Sequence, residues 1–366
     1  MEEHYLIAFS TVPGIGPARL KLLVDYFGSV QKAWEAKEAE LIKVGLPKDP
    51  LAELLKQKNK LNVNQYIENI KKRGIKIVTI NSPIYPEGLK NIPDPPNVLF
   101  IKEKTDCFAT LAMTKRVIGV VGTRKITSYG REVTQMLTTG LVSAGFTIVS
   151  GMALGVDGVA HQTTIDNKGT TIAVLGAGVD IIYPPSHRDL YNSILSSGGA
   201  IVSEVAPEKF VGRGIFPARN RIISGLSEAI LITEGAIDSG SLITAKCALE
   251  QGREVFAVPG PINSAMAEGT NYLLKQGAKL VTDVRDILET LGYSSNLTNL
   301  SNRSNKQVVG DTEEEQKIID LLRNEEMEFD DLVRQTKISA SFLGAILGTM
   351  EVKGKIRNSG QVYRLS

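Results

Sequence analysis

The sequence predicts an α/β protein centred on a doubly wound parallel sheet, and three observations carry that prediction. From Gly74 onward, short β-branched runs alternate with helix-patterned stretches, the order expected of parallel strands joined by crossover helices. Ile172-Ala-Val-Leu175 and Ala229-Ile-Leu-Ile232 are apolar without alternation, as in strands buried on both faces. Several runs end in glycine, which lets the backbone approach a ligand at the carboxyl end of a strand.

Taken in order, residues 1–72 are helical in pattern, with Leu20, Leu23, Val24 and Phe27 at helical spacing. Within them Val12-Pro-Gly-Ile-Gly-Pro-Ala-Arg19 places Gly14 and Gly16 in a tight turn before a helix. That is the form of a helix-hairpin-helix, whose amides contact a DNA phosphate or simply join two packed helices. Strands are expected at Ile75–Ile80, Val98–Ile101, Val117–Val121, Thr147–Ser150, Thr171–Leu175, Ala200–Ser203, Ala229–Thr233 and Glu254–Val258. Helices are expected near 128–144, 156–168, 187–197, 219–227, 240–252 and 268–276. The sheet domain is thus placed at 73–291, with a β-rich entry. Residues 292–312 are polar and without periodicity, as in a linker. Residues 313–366 show three helices and a hairpin turning near Asn358-Ser-Gly360, the order of a winged helix. Ala340 to Met350, its third helix, carries no charge and acidic residues outnumber basic ones in the segment. Such a helix is poorly equipped to read a major groove, so a protein contact is the expected role.

Charge gives little away. The 366 residues hold 42 basic and 40 acidic side chains, a formal net charge of +2, so any anion site must be local. Cys107 and Cys247 are too few for a disulfide framework or a cysteine zinc site. The acidic start Met-Glu-Glu-His leads into no signal peptide, and no apolar run reaches about 18 residues. The expected home is the cytoplasm, without a membrane contact.

Four strand ends carry glycine turns, at Gly122-Thr123-Arg124, Ser150-Gly151-Met-Ala-Leu-Gly155, Gly176-Ala-Gly178 and Pro259-Gly260, and all four are expected to open on one rim. Phe216-Pro-Ala-Arg219-Asn220-Arg221 sets two guanidinium groups and an amide at an expected helix start. Arginine grips phosphate in a planar, two-pronged way. Gly240-Ser241-Leu-Ile-Thr-Ala245 opens another helix whose amides suit an anion. None of these turns is the dinucleotide fingerprint, and no Walker A lysine is present. His4, His161 and His187 lack the spacing of a helix-borne metal site. Asp157 and His161, four apart, are either an acid–base pair or a helix cap with a histidine packed behind the rim. Glu204 and Glu234 stand at strand ends, where a carboxylate acts as an acid or holds an arginine; the second use is preferred here.

Together, Gly122-Thr-Arg124, Ser150-Gly-Met-Ala-Leu-Gly-Val-Asp157, Ala173-Val-Leu-Gly-Ala-Gly-Val-Asp180 and Phe216-Pro-Ala-Arg-Asn-Arg-Ile-Ile-Ser-Gly-Leu-Ser227 resemble the DNA-processing protein A family, DprA or Smf. Ser239-Gly-Ser-Leu-Ile-Thr-Ala245 and Val255-Phe-Ala-Val-Pro-Gly260 extend the resemblance across about 75–290. It implies an extended Rossmann-like domain between a helical, SAM-like front and a winged-helix tail. It also implies sequence-independent binding of single-stranded DNA, a homodimer, and delivery of incoming strands to the RecA recombinase in natural transformation. No enzyme activity, cofactor or metal is implied. Carried over, Arg124 is the central phosphate contact, Gly122 and Thr123 shape its loop, and Arg219 and Arg221 line the rim unless one braces it through Glu204 or Glu234. Many relatives carry a basic residue directly after the Tyr183-Pro184 pair; here Pro185 follows, leaving that contact to His187 or Arg188. Phe210, Phe216 and Tyr183 are the candidate stacking rings. The rival readings are a nucleotide or sugar-phosphate hydrolase and a phosphate-ligand sensor. Relatives of the hydrolase kind carry a glutamate in the helix that here begins Ser241-Leu-Ile-Thr-Ala245.

Overall fold

The computed structural model describes residues 2–109, 116–209, 215–293, 310–323, 325–360 and 362–365, without the side chains of 215–217 and 359. The chain forms two compact units, residues 1–297 and 298–366.

The first unit is built on nine strands: β1 (Ile75–Thr79), β2 (Val98–Glu103), β3 (Val117–Val121), β4 (Thr147–Ser150), β5 (Thr171–Leu175), β6 (Ala200–Ser203), β7 (Ala229–Ile232), β8 (Glu254–Ala257) and β9 (Lys279–Leu280). Their order is β1-β2-β6-β5-β4-β3-β7-β8-β9. Strands β3 to β9 run parallel, while β1 and β2 form the antiparallel entry that joins β6. The α/β expectation therefore holds, entry included. The edge strand β9, two residues long and exposed, was not legible as a strand. Four successive strands spread from β3 toward β6, and the chain then returns to lay β7 against the other side of β3. That reversal is where loops diverge and a crevice opens at the carboxyl ends.

Helices cover both faces. The front helices α1 (Glu2–Ser10), α2 (Pro17–Phe27), α3 (Val30–Glu35), α4 (Glu38–Lys43), α5 (Lys48–Lys60) and α6 (Val63–Lys72) share one core with the sheet. In it Leu6, Phe9, Leu23 and Trp34 join Phe100, Ala173 and Ile201, with the Phe9 and Trp34 rings edge to face at 5.0 Å. The front is pinned from below as well. Lys209 Nζ donates to the Thr11 carbonyl, and Arg73 spans Asp180 and Glu208, the latter at 2.6 Å. The other face buries Leu89, Ile223, Ile230, Ala248 and Val255. After the short α7 (Glu87–Lys90), the crossover helices are α8 (Ser128–Ser143), α9 (Val156–Asp166), α10 (Arg188–Ser196), α11 (Ile215–Leu226), α12 (Gly240–Glu250), α13 (Glu268–Lys275) and α14 (Val284–Thr290). One start differs from expectation. Helix α11 begins at Ile215, so Arg219 and Arg221 lie in its second turn and not at its N-terminus.

The second unit contains α15 (Glu313–Leu322), β10 (Met327–Glu328), α16 (Phe329–Thr336), α17 (Ala340–Val352) and the hairpin β11 (Ile356–Ser359) and β12 (Val362–Leu365). The three strands order as β10-β12-β11, which makes this the expected winged helix. Ile318, Leu332, Leu343, Leu347 and Met350 form its core. Lys353 and Lys355 are consumed internally by Asp311 and Glu315 at 2.7–3.0 Å.

Candidate nucleic-acid interface

Strand β3 runs into Gly122-Thr123-Arg124-Lys125, a loop fastened from both sides. The Thr123 amide donates to the Glu234 carbonyl at 2.7 Å, and its own carbonyl accepts from the Val156 amide at 3.1 Å. A Cβ on Gly122 would meet the Glu234 carbonyl at 2.6 Å, and one on Gly155 would overlap the Thr123 carbonyl. These glycines therefore serve close backbone packing. The Thr123 hydroxyl accepts from the Lys125 amide at 3.1 Å, and the loop leaves Arg124 and Lys125 exposed.

Strand β4 delivers the neighbouring loop. Met152 and Gly155 hold φ of 57° and 79°, the left-handed region that a non-glycine residue enters only when its surroundings insist. Asp157 supplies that insistence: its Oδ2 accepts from the Gly151 amide at 3.1 Å and the Ala153 amide at 3.3 Å. It therefore binds the loop, and Gly155, not Asp157, is the N-cap of α9. The missing side chain at Gly151 makes room for the Arg219 guanidinium, which a Cβ there would overlap.

Arg219 is only 6% exposed, yet among the described residues it makes a single hydrogen bond, from Nη1 to the Val174 carbonyl at 2.5 Å, and its Nε has no partner there. Burial pushes its pKa down, opposed by nearby Asp157. Burial likewise pushes the Asp157 carboxyl up, opposed by Arg219 and the loop amides. Each charge thus opposes the effect of burial on the other.

Two cavities meet at this guanidinium. A small, largely apolar one of about 80 Å³ is lined by Arg124, Gly151, Leu175, Gly176, Tyr183 and Arg219 among others. A larger one of about 530 Å³ has Thr123, Lys125, Asn220, Gly240 and Ser241 in its wall, again with Arg124 and Arg219. Gly122 also lines it. Asn220 Nδ2 donates to the Gly240 carbonyl at 3.1 Å, locking α11 to the start of α12, where Ser239 caps the Ser241 amide. Lys125 is a rim residue that sequence reasoning passed over, although its place beside Arg124 was the available signal.

The remaining expected residues lie elsewhere. Arg221 leaves the rim and pairs with Glu204 at 2.6 Å and Asp94 at 3.4 Å, so it is the brace of the two arginines. Among the described residues Glu234 holds no arginine; its carboxylate accepts from the Thr127 amide at 2.9 Å and hydroxyl at 2.5 Å, fixing the N-cap of α8. The Ser150 hydroxyl donates to the Val120 carbonyl behind the rim. The Gly178 amide donates to the Lys209 carbonyl at 3.0 Å. His161 is sealed, with Nδ1 2.7 Å from the Thr171 hydroxyl, and burial pushes it down to about 3, so it is neutral at ordinary pH. His187 lies 3.1 Å from the Met152 carbonyl and braces the β4 loop, while Arg188 is exposed at the start of α10. Gly14, at φ 81°, abuts Pro50, and Gly16 is the N-cap of α2, both away from the arginine cavities. Gly260 opens on a different cavity from the other three turns, because β8 lies beyond β7 from the arginine loops. Phe210 and the Phe216 side chain lie outside the described residues.

A buried guanidinium between two cavities, at the switch point of a Rossmann-like sheet, marks a doubly wound α/β protein with a cationic crevice. Its kind is settled by comparison. Residues 76–292 match the profile of the DNA recombination-mediator protein A family and residues 304–360 that of the DprA winged helix domain, and the chain belongs to that family, also called DNA-processing protein A. Protein Smf of Synechocystis is 40% identical over 292 residues, covering 80% of this chain and 73% of the relative. DNA processing protein DprA of Bacillus subtilis is 45% identical over 221 residues, covering 60% and 73%. The structure of DprA from Streptococcus pneumoniae superposes with a TM-score of 0.66 at 30% identity, covering 78% of this chain and 97% of that one. DprA from Helicobacter pylori, described for its single-stranded DNA binding mode, gives 0.51 at 30%, covering 59% and 95%. Among the described residues no helix is long and apolar enough to cross a membrane.

Proposed function

We propose that this chain binds single-stranded DNA through its backbone, at the rim formed by Arg124, Lys125, Arg219 and the α12 N-terminus. The buried, under-bonded Arg219 guanidinium carries the reading. A guanidinium with buried Asp157 nearby, facing two cavities beside Arg124, suits a phosphate. Phosphate recurs along any strand, so the grip is indifferent to sequence. Local arginines also explain how affinity arises at a net charge of +2.

Family membership supports the wider role: protection of incoming single strands in natural transformation and their delivery to the RecA recombinase, by a cytoplasmic homodimer with two rims. Two sites on one particle would raise avidity along a strand. This role contains no chemical step and needs no cofactor. Gly14, Gly16 and Arg188 would be secondary contacts to a longer strand.

The test is a salt titration of single-stranded against double-stranded DNA with the native chain and Arg124→Ala. Single strands are expected to bind more tightly, with affinity falling at least about tenfold in the variant and a salt slope shallower by about one. Binding that ignores Arg124 would instead assign the rim to a small phosphate ligand, as in a hydrolase or sensor.

A further inference from the structure

One loop supplies much of the wall of the cavity of about 80 Å³: Gly176, Ala177, Ile181, Tyr183 and Pro184 all follow β5. That loop leans on a corner of chain between β6 and α11. The Gly178 amide donates to the Lys209 carbonyl at 3.0 Å, and the Asp180 carboxylate accepts from the Glu208 amide at 3.0 Å and 3.2 Å. A Cβ on Gly178 would meet the Ala206 carbonyl at 2.9 Å, so loop and corner are in close contact. The shape of the cavity therefore follows the geometry of the corner.

The corner needs holding. Glu208 has φ of 66°, in the left-handed region that a long side chain keeps only where its surroundings enforce it. Burial does not enforce it, because the Glu208 side chain is 75% exposed. The carboxylates of Asp180 and Glu208 also converge here and repel one another. Arg73, the C-cap of α6, answers both needs: its guanidinium pairs with Asp180 and, at 2.6 Å, with Glu208. The planar fork of arginine suits such a bridge in a way that the point charge of lysine does not. Lys209 adds a second tie, from Nζ to the Thr11 carbonyl. Both ties from the front helices thus end on the corner that carries the β5 loop.

We propose that Arg73 is a positioning residue for the single-strand site: it touches no DNA, and it holds the Glu208 corner in the left-handed conformation that fixes the β5 loop beside Arg124 and Arg219. The proposal rests on the single-strand reading above and gives the front helices a part in it as a brace. Exposed ion pairs contribute little to stability, so loss of the clamp should be seen in binding and hardly at all in unfolding.

The experiment measures binding of oligothymidine by the full chain against salt, with urea unfolding of each variant alongside. Arg73→Ala is expected to weaken binding by about fivefold, within the range for a residue acting through packed and hydrogen-bonded neighbours, and to leave the salt slope unchanged because no phosphate contact is lost. Adding Glu208→Gly to it should restore affinity to within about twofold of native, since glycine adopts the left-handed conformation freely. Adding Glu208→Gln instead, which makes the same change in charge, should not. Native affinity in Arg73→Ala overturns the proposal, as does a salt slope shallower by about one, which would make Arg73 a phosphate contact. Equal rescue by glycine and glutamine overturns it too and reduces the effect to charge, while no rescue by either, with unfolding at lower urea, reduces it to stability. In each of these cases tight binding by the native chain leaves the single-strand reading intact. Failure of the native chain to bind sinks that reading and this proposal with it.

Discussion

The two ends of the central sheet carry the same ingredients and use them oppositely. At the amino ends, Arg116, Arg253, Glu228 and Tyr293 gather around the start of β7. Arg116 stacks over the Tyr293 ring at 4.9 Å and donates to the Ala144 carbonyl, Arg253 donates to the Gly88 carbonyl, and the Tyr293 hydroxyl donates to Glu228 at 3.1 Å. Each arginine there is spent on tying one segment to another. At the carboxyl ends, Arg219 has one carbonyl partner, one buried carboxylate nearby, and two cavities in front of it. The count of guanidinium groups says nothing about binding; strand polarity does, because loops that leave carboxyl ends diverge at the switch point and leave space for a ligand. The winged helix repeats the lesson, since Lys353 and Lys355 are both bound by Asp311 and Glu315.

Removing Arg219 gives the largest effect this contrast predicts. Arg219→Met keeps much of the volume but removes the nearby charge that opposes the effect of burial on Asp157. Losing that charge and the hydrogen bond to the Val174 carbonyl should cost about 1–3 kcal/mol, to be read from urea unfolding, with single-strand binding lost as well. A loss below about 1 kcal/mol would mean that Asp157 is stabilised by the loop amides alone and that the rim charge is not built as described. Gly151→Ala tests the same site more gently. Its methyl group would overlap the guanidinium, so the arginine must shift. Binding should weaken by about tenfold, ~1.4 kcal/mol, while the fold persists. Native-like affinity in this variant would show that the placement of Arg219 does not matter.

Much of this contrast was legible before the structure, for definite reasons. Arg124 follows a five-residue apolar strand and a glycine, so periodicity alone set it at a carboxyl end. Arg219 and Arg221 could not be separated in the same way. Two residues along a helix turn a side chain by roughly 200°, so one arginine had to leave the rim, but its direction depends on where α11 packs. The partners that decide it, Glu204 and Asp94, come from distant loops. Glu234 illustrates a second limit. Its place after β7 was clear, but its grip on Thr127 depends on β3 and β7 being neighbours, which is a property of strand order and not of local pattern. The edge strand β9 escaped because two exposed residues carry no periodicity.

The smallest prediction concerns the amino end, where titration and not ligand binding should be visible. Burial pushes Glu228 up to about 7 from an ordinary value near 4.5, opposed first by the Tyr293 hydroxyl and then by Arg116 and Arg253. A carboxyl whose folded pKa is raised binds its proton more tightly in the native state, so stability falls as pH rises through the window between about 4.5 and about 7. Glu228→Gln removes that penalty and keeps an acceptor for Tyr293. Because the group is only half-buried, the full shift must be discounted for solvent screening, leaving a gain of about 1 kcal/mol at pH 8 and almost none at pH 4. Urea unfolding of both chains at the two pH values measures it. A gain of equal size at both would trace to packing and not to charge. A loss at pH 8 would show that Glu228 is ionised and held by Arg116 and Arg253, and the amino end would then be a charge cluster of the same kind as the rim.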